Sequence, residues 1–182
     1  MKLGLYVAAM LVGCGGAAPE EARVDLFARQ PECTASAGDG RLDLGAACAE
    51  GVCSDDSYAE WVAALGEPSC GGSYTSTKVE CSWDGLRAIF EDEDEDGVVD
   101  DTSEVLKYFY VEEPYAGATA EGLTQGVELR CFVDAYGDPD DVTLELVGDA
   151  YLVSEMKYDY PDITIRDDEG GGFADQLVVW GD

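Results

Sequence analysis

Two segments of the chain carry the same amphipathic pattern, and this recurrence limits the possible folds more than any other feature. Residues 57–68 read SYAEWVAALGEP, and residues 128–139 read ELRCFVDAYGDP. In both segments large apolar side chains occupy the i, i+3, i+4 and i+7 positions of one helical face. A glycine and then a proline follow, which is a typical signal for the end of a helix. We therefore predict two short helices, each of which opens one of two similar units.

Alternating apolar residues predict antiparallel strands after each helix. The first unit has three such segments, whereas the second has a hairpin followed by two more. In chain order the predicted strands are residues 78–83, 86–91, 105–111, 142–147, 151–158, 163–166 and 177–180. We predict a β-rich α+β fold of two tandem helix-plus-antiparallel-sheet repeats, with repeat 1 at residues 51–113 and repeat 2 at residues 114–182.

The second predicted helix has a competing interpretation. Val127, Leu129, Cys131 and Val133 alternate along the chain, as the residues of a half-buried strand do. A strand at this place would make the second half a mostly β sandwich. The sequence leaves both alternatives open.

The N-terminus has the features of a bacterial lipoprotein signal peptide. Lys2 precedes an apolar stretch that is too short to span a bilayer as a helix, and residues 11–14 read LVGC, which resembles a lipobox. We predict that residues 1–13 are a signal peptide and that Cys14 is lipidated. The expected location is the bacterial cell envelope, and by resemblance to enteric lipoprotein sorting rules, Gly15 after the cysteine favours the outer over the inner membrane.

The remaining cysteines predict disulfide bonds. A chain expected to be exported carries six of them besides Cys14, with no C-x-x-C pair and no histidine, so a zinc site is disfavoured. They are Cys33, Cys48, Cys53, Cys70, Cys81 and Cys131. A Cys70–Cys81 bridge is favoured because it would join the first helix to the first strand, and the other pairings stay open.

Residues 14–50 are rich in Ala, Gly and acidic residues, which predicts a tether. A disulfide between Cys33 and Cys48 could close a small loop within it.

The charge balance excludes nucleic acid as a partner. Forty Asp and Glu residues face ten Lys and Arg residues, which gives a net charge of −30. Nucleic acid and anionic membrane surfaces repel such a chain, so we expect membrane contact only through the lipid anchor. Hydrophobic residues make up 46% of the sequence, which is enough for a folded core.

One acidic segment matches the pattern of a calcium-binding loop. Residues 92–100 read DEDEDGVVD, with carboxylates at the first, third, fifth and ninth positions and glycine at the sixth. The twelfth position holds Ser103 where a bidentate carboxylate is expected. The predicted calcium ligands are Asp92, Asp94, Asp96, Val98 through its carbonyl, Asp100 and Glu104. A solvated acidic hairpin explains the same segment without a metal, because Asp-Gly is a common turn signal.

Catalysis has little support in the sequence. The absence of histidine removes the usual general base and the Ser-His and Cys-His nucleophile systems. Acidic residues are so numerous that no single pair of carboxylates indicates a hydrolase site. We predict that the chain is not an enzyme, with a carboxylate-based hydrolase as the remote alternative.

The order of the predicted elements resembles a known lipoprotein family. A capping residue, Ser57, a short amphipathic helix that ends in Leu-Gly-x-Pro, and then aromatic-rich strands resemble the SmpA/OmlA (BamE-like) lipoproteins. Two such units in tandem are similar to the repeats of the β-lactamase inhibitory protein family, which present a concave sheet to a protein partner. The resemblance covers residues 51–182. It departs from the family at Glu128, where a better N-cap is expected, and in lacking the family's basic and polar contact residues. It implies docking to another envelope protein.

Aromatic residues are the candidates for a binding surface on the sheet. A strand exposes alternate side chains, so some of these aromatics should lie outside the core. The candidates are Trp83, Tyr108, Phe109, Tyr110, Tyr115, Tyr158, Tyr160 and Trp180. We expect a protein-binding or structural module whose partner is an envelope or extracellular protein. The alternative is a calcium-dependent carbohydrate- or surface-binding protein in which the acidic turns and the aromatics form the site.

Overall fold

The computed structural model describes residues 31–75, 77–92, 95–96, 98–101, 103, 105–147 and 150–181. These residues form two helices and eleven strands. The elements in chain order are β1 (Leu42–Asp43), β2 (Cys48–Ala49), β3 (Val52–Cys53), α1 (Tyr58–Leu65), β4 (Ser69–Thr75), β5 (Lys78–Ser82), β6 (Leu86–Glu91), β7 (Val105–Glu112), α2 (Leu129–Tyr136), β8 (Asp141–Val147), β9 (Ala150–Asp159), β10 (Asp162–Arg166) and β11 (Gln176–Trp180).

The strands form two antiparallel sheets. A small sheet contains β1, β2 and β3, and an eight-stranded sheet has the order β4-β5-β6-β7-β11-β10-β9-β8. The last strand after α1, β7, pairs with the last strand after α2, β11, in the middle of the large sheet. Consequently β4 and β8 are its two edges. The described fold is α+β and β-rich, which confirms the predicted class.

Both predicted helices are present, and the capping signals explain their ends. At α1 the Glu60 carboxylate accepts hydrogen bonds from the Ser57 N–H at 2.8 Å and the Ser57 hydroxyl at 2.7 Å. Gly66 and Gly137 end the two helices with φ angles of 86° and 85°, a conformation that favours glycine. The alternative strand at residues 127–133 is wrong, because most of that segment belongs to α2.

One strand was not expected from the sequence. β4 pairs with β5, so four strands follow α1, as four follow α2, instead of the predicted three. Gly71 and Gly72 lie within β4, and glycine has a low preference for strands. The bond between Cys70 and Cys81 joins β4 to β5, so the strand is held by a covalent cross-link.

The main core lies between the helices and one face of the large sheet, which we call the helix face. The Trp61 ring of α1 is fully buried, with its centroid 5.3 Å from that of Trp83 and 5.6 Å from that of Phe109. On α2 the Phe132 side chain is likewise fully buried. These positions come from the apolar face of each helix, so the recurring pattern in the sequence is the pattern of core contacts.

The described part of the predicted tether, residues 31–50, is folded into the molecule, which corrects that expectation. Leu42 and Leu44 are only 2% exposed and belong to the main core. The Gly38 N–H donates to the Ala120 carbonyl at 3.1 Å, and the Leu42 N–H donates to the Ala118 carbonyl at 3.2 Å. The apolar residues of this segment lack helical or strand periodicity, and its order comes from contacts with a distant part of the chain.

Three disulfide bonds join the six described cysteines, which confirms disulfide bonding. The pairs are Cys33–Cys131, Cys48–Cys53 and Cys70–Cys81, with S–S distances of 2.15, 1.99 and 2.03 Å. The third is the pair that the sequence favours. The suggested loop between Cys33 and Cys48 is absent, because Cys33 bonds to α2 and Cys48 bonds within the small sheet.

Candidate functional site

The outer face of the large sheet, opposite the helix face, carries the most distinctive surface chemistry of the described residues. Successive side chains of a strand point to opposite faces, so Phe109 and Val179 enter the main core while their neighbours lie on the outer face. Tyr110 and Val178 are paired across β7 and β11 at the centre of this outer face.

An aromatic cluster, defined by Tyr108, Tyr110 and Trp180, occupies this centre. The Tyr108 ring centroid lies 4.5 Å from that of Trp180 and 5.5 Å from that of Tyr110. Ile89 and Val178 are buried beneath these rings, and Tyr108 and Trp180 themselves are half-buried. Adjacent aromatic rings at such distances attract each other beyond simple burial, so the cluster is a preformed apolar surface.

A row of polar side chains crosses the outer face beside the aromatic cluster, and we call it the polar row. Its members come from six neighbouring strands and are joined by hydrogen bonds. In strand order they are Glu80, Arg87, Glu112, Gln176, Arg166 and Glu155. Arg87 contacts Glu80 at 3.0 Å and Glu112 at 3.2 Å, while Gln176 donates to Glu112 at 2.9 Å. The last contact crosses the central β7–β11 pair.

Arg87 links the polar row to the aromatic cluster. Its guanidinium carbon lies 3.8 Å from the Tyr110 ring centroid, which is the geometry of a cation–π contact. Burial alone would lower the pKa of Arg87, but the hydrogen bonds and charges of Glu112 and Glu80 raise it above its ordinary value. The guanidinium therefore stays charged, and its orientation is fixed by three neighbours.

The predicted calcium ligands are only partly within the described residues, since Asp94 and Glu104 lie outside them. Asp92 is 3% exposed, and the Asp96 carboxylate accepts the Val98 N–H at 2.8 Å. The Asp100 carbonyl accepts the Ser103 N–H at 2.9 Å. Within the described part of the chain, no group of three acidic or cysteine side chains is close enough to hold a metal ion.

The second half also contains a buried aspartate just after its third strand, and backbone N–H groups bond to it. Asp167 follows β10 as Asp92 follows β6, and both are 3% exposed. The Asp167 carboxylate accepts the N–H groups of Gly171 at 3.0 Å and Gly172 at 2.7 Å, and so organises its own loop. Calcium on residues 92–104 stays a prediction. If calcium binds there, the melting temperature should be higher in calcium than in chelator, and this difference should be lost in Asp96→Asn.

The structure divides the predicted aromatic candidates between the core and the surface. Phe109, Tyr115 and Tyr158 are core residues, Trp83 is half-buried beside α1, and Tyr160 is 85% exposed in a turn. Only the aromatic cluster shares the outer face. The polar row was missed. Its signal is opposite charges at facing positions, as for Arg166 and Glu155, or at diagonal positions, as for Arg87 with Glu80 and Glu112, and it can be recognised only once the strand order is known.

A shallow cleft of about 290 Å³ lies between the small sheet and α2. Asp43, Glu121 and Tyr136 are among its lining residues. Burial, followed by the charges of Glu121 and Asp43, raises the pKa of Tyr136 to about 12, so its phenol stays protonated at neutral pH. A phenol that stays protonated is neither a nucleophile nor a general base, and the cleft adds no support for catalysis.

No protein-family model, curated protein or solved structure matches the chain. In the described residues, neither helix has the length and apolar character needed to cross a membrane. The predicted signal peptide and Cys14 lie outside the described residues. A functional proposal therefore depends on the geometry of the two faces of the sheet.

Proposed function

We propose that this protein is a lipid-anchored protein of the bacterial envelope that binds another protein through the outer face of its eight-stranded sheet. The observation that carries the proposal is the aromatic cluster beside the polar row. Tyr, Trp and Arg are the residues that most often dominate binding energy at protein interfaces. Here Tyr108, Trp180 and Arg87 lie side by side on one face, away from the helices and the main core.

The distribution of basic residues supports this assignment. The chain has only ten Lys and Arg residues and a net charge of −30, which opposes close approach by most proteins of a similar charge. Lys78, Arg87, Lys157 and Arg166 all lie on the outer face. Arg87 and Arg166 neutralise the neighbouring glutamates of the polar row. Within the polar row, two arginines therefore offset most of the charge of three glutamates.

The predicted lipid anchor is compatible with a free outer face. The Cys33–Cys131 bond holds the start of the described chain against α2, on the helix face. A chain that runs from a lipidated Cys14 to Cys33 thus enters the fold on the side opposite the aromatic cluster. Fractionation tests the anchor directly: the wild-type chain should sediment with membranes and the Cys14→Ser variant should not.

We also propose that the two halves are tandem repeats, as the resemblance to BamE-like units and to the β-lactamase inhibitory protein repeats implies. Matching contacts support a duplication. Trp83 Nε1 donates to the Gly66 carbonyl at 2.8 Å, and the Tyr158 hydroxyl donates to the Gly137 carbonyl at 3.2 Å. In both halves an aromatic residue at the end of the second strand, Trp83 just after β5 and Tyr158 near the end of β9, thus donates to the carbonyl of the glycine that ends the helix.

The helix N-termini provide a second matching contact. The Tyr58 N–H of α1 donates to the Ser103 carbonyl at 2.8 Å, and the Leu129 N–H of α2 donates to the Gly172 carbonyl at 2.9 Å. Each acceptor lies in the loop between the third and fourth strands of its own half. The two units would therefore be folded by the same contacts, joined through β7 and β11.

Capture of envelope proteins tests the binding proposal. The immobilised oxidised domain should retain a protein that a Tyr108→Ala/Trp180→Ala variant releases. Tyr160→Ala is the matched control, because it removes an exposed aromatic away from the cluster. Circular dichroism must show that the double variant is folded. Equal capture by the wild type and the folded double variant would contradict a role for the outer face.

A further inference from the structure

The two edges of the large sheet differ in how well they are protected against another strand. At one edge, β4 contains two register shifts in its pairing with β5 and is tied to it by the Cys70–Cys81 bond. At the other edge, all seven residues of β8 pair with β9, with one register shift. The described residues place no strand beyond β8. A regular edge strand presents a row of backbone N–H and C=O groups that another strand can pair with.

The side chains of β8 alternate in character. Val142 and Leu144 are half-buried on the helix face, and Leu146 on the same side is 57% exposed. On the outer side Thr143 and Glu145 are exposed. A strand added to this edge would continue both faces, since side chains opposite each other on paired strands share a face. It would therefore place apolar residues beside Leu146 and polar residues beside Glu145.

The charges beside β8 indicate which polar residues an added strand should carry. Asp141 and Glu145 are exposed on the outer side of β8. Lys157 lies opposite Asp141 and Arg166 pairs with Glu155, whereas Leu152 lies opposite Glu145, so Glu145 faces no basic residue on β9. A second copy of this chain would bring a second Glu145 to the edge, and like charges on facing strands are destabilising. A strand that carries Lys or Arg beside Glu145 would instead be attracted to it.

We propose that the β8 edge accepts an extended segment of a partner protein whose residues alternate between apolar side chains and Lys or Arg. The segment adds a ninth strand to the sheet by backbone pairing, and its basic residues face Asp141, Thr143 and Glu145. This surface is separate from the aromatic cluster, because β10 and β9 lie between β11 and β8. The two binding surfaces can therefore be disabled independently.

The test uses the oxidised chain from residue 15 onward and a synthetic peptide of about nine residues that alternates lysine and valine. Hydrogen exchange and fluorescence anisotropy are measured with and without the peptide. With the peptide we expect slower exchange at residues 141–147 and no change in exchange at β4, together with saturable binding. The decisive control is the same peptide with alternate backbone amides N-methylated, which keeps its charge and side chains but cannot pair along one edge.

Two variants separate edge pairing from general attraction to an acidic surface. Glu145→Lys should weaken peptide binding by about fivefold, since it replaces attraction by repulsion at an exposed site. Tyr108→Ala/Trp180→Ala should leave peptide binding unchanged. Equal binding of the N-methylated peptide, peptide-induced protection elsewhere than β8, or strong protection, before any peptide is added, of the β8 N–H groups that point away from β9 would each overturn the proposal.

Discussion

The two faces of the eight-stranded sheet are held together by different interactions. On the helix face, large apolar side chains such as Trp61, Phe90 and Phe132 are fully buried in one large cluster. On the outer face, the aromatic cluster is smaller and lies beside a row of ion pairs and hydrogen bonds. The first arrangement is typical of a folding core, and the second is typical of the centre and rim of an interface.

This difference indicates that the outer face is the one suited to binding a partner. Placing an arginine and two glutamates on a sheet contributes little net stability, because removing charges from water offsets most of their attraction. Arg87, with 18% of its side chain exposed, is therefore a poor choice for stability alone. The position of Arg87 is explained better by a surface that another protein covers, where a charged and oriented guanidinium adds specificity.

The largest expected effect is on the core of the helix face. Trp61→Ala should lower the free energy of unfolding by about 4 kcal/mol, because it leaves a cavity among three aromatic rings. Trp180→Ala on the outer face should cost about 1 kcal/mol, since its ring is half-buried and lies at the edge of a small cluster. Urea unfolding of both variants measures the contrast. Equal losses would show that the two faces contribute alike to stability.

The next effect concerns the polar row. Arg87→Met should lower the free energy of unfolding by about 2 kcal/mol, because it leaves Glu80 and Glu112 without their shared cation. Lys157→Met on the same face is the control, and for an exposed residue we expect a change within about 0.5 kcal/mol. If both variants unfold at the same urea concentration, the polar row is not a connected network.

A smaller effect compares the two halves. Trp83→Phe and Tyr158→Phe each remove the hydrogen bond to a helix-ending glycine carbonyl. Tyr158→Phe should cost about 1 kcal/mol, and Trp83→Phe should cost more because the smaller ring also loses packing on Trp61. Losses of at least about 1 kcal/mol in both variants would support equivalent roles for the two contacts. A loss confined to one variant would show that only one half depends on this contact, which would weaken the case for tandem repeats.

The smallest effect is on the acid stability that Asp39 contributes in the N-terminal segment, residues 31–50. Hydrogen bonds from the Ala118 N–H and from Arg41 lower the pKa of Asp39 from 3.8 to about 2. A carboxyl whose pKa is lower in the folded state adds stability above its unfolded pKa, and this is lost as the pH falls from about 4 to 2. Asp39→Asn should therefore unfold less steeply with acid over this range than the wild type.

Asp162→Asn, at an exposed aspartate of the outer face, is the control for this measurement. Thermal unfolding at several pH values distinguishes the variants. An unchanged pH dependence in Asp39→Asn would mean that the contact of residue 39 with Ala118 does not couple to folding.

The sequence predicts the parts of this fold that are encoded locally. The helices follow from the spacing of residues such as Trp61 and Phe132 and from Gly66 and Gly137 after them, because both signals lie within one segment. Strands with regular alternation were predicted for the same reason. β4 was missed because its glycines carry no alternation, although Cys70 marked the segment as important.

The remaining features depend on contacts between distant residues. The segment at residues 31–50 is ordered through Cys33–Cys131 and through backbone bonds to residues 118–120, none of which has a local pattern. The polar row likewise requires that β7 and β11 be neighbours, which the order of elements along the chain does not fix. Aromatic residues on both sides of β7 were predictable, but their assembly with Trp180 was not.

Site-specific photo-cross-linking tests the proposed function most directly. A photoreactive p-benzoylphenylalanine is placed at Tyr108 on the outer face, or at Ala135, an exposed position of α2, in cells that make the protein. The outer-face position should form a covalent adduct with a distinct protein on irradiation, and the α2 position should not. Adducts of equal yield from both positions, or an adduct only from Ala135, would contradict binding through the outer face.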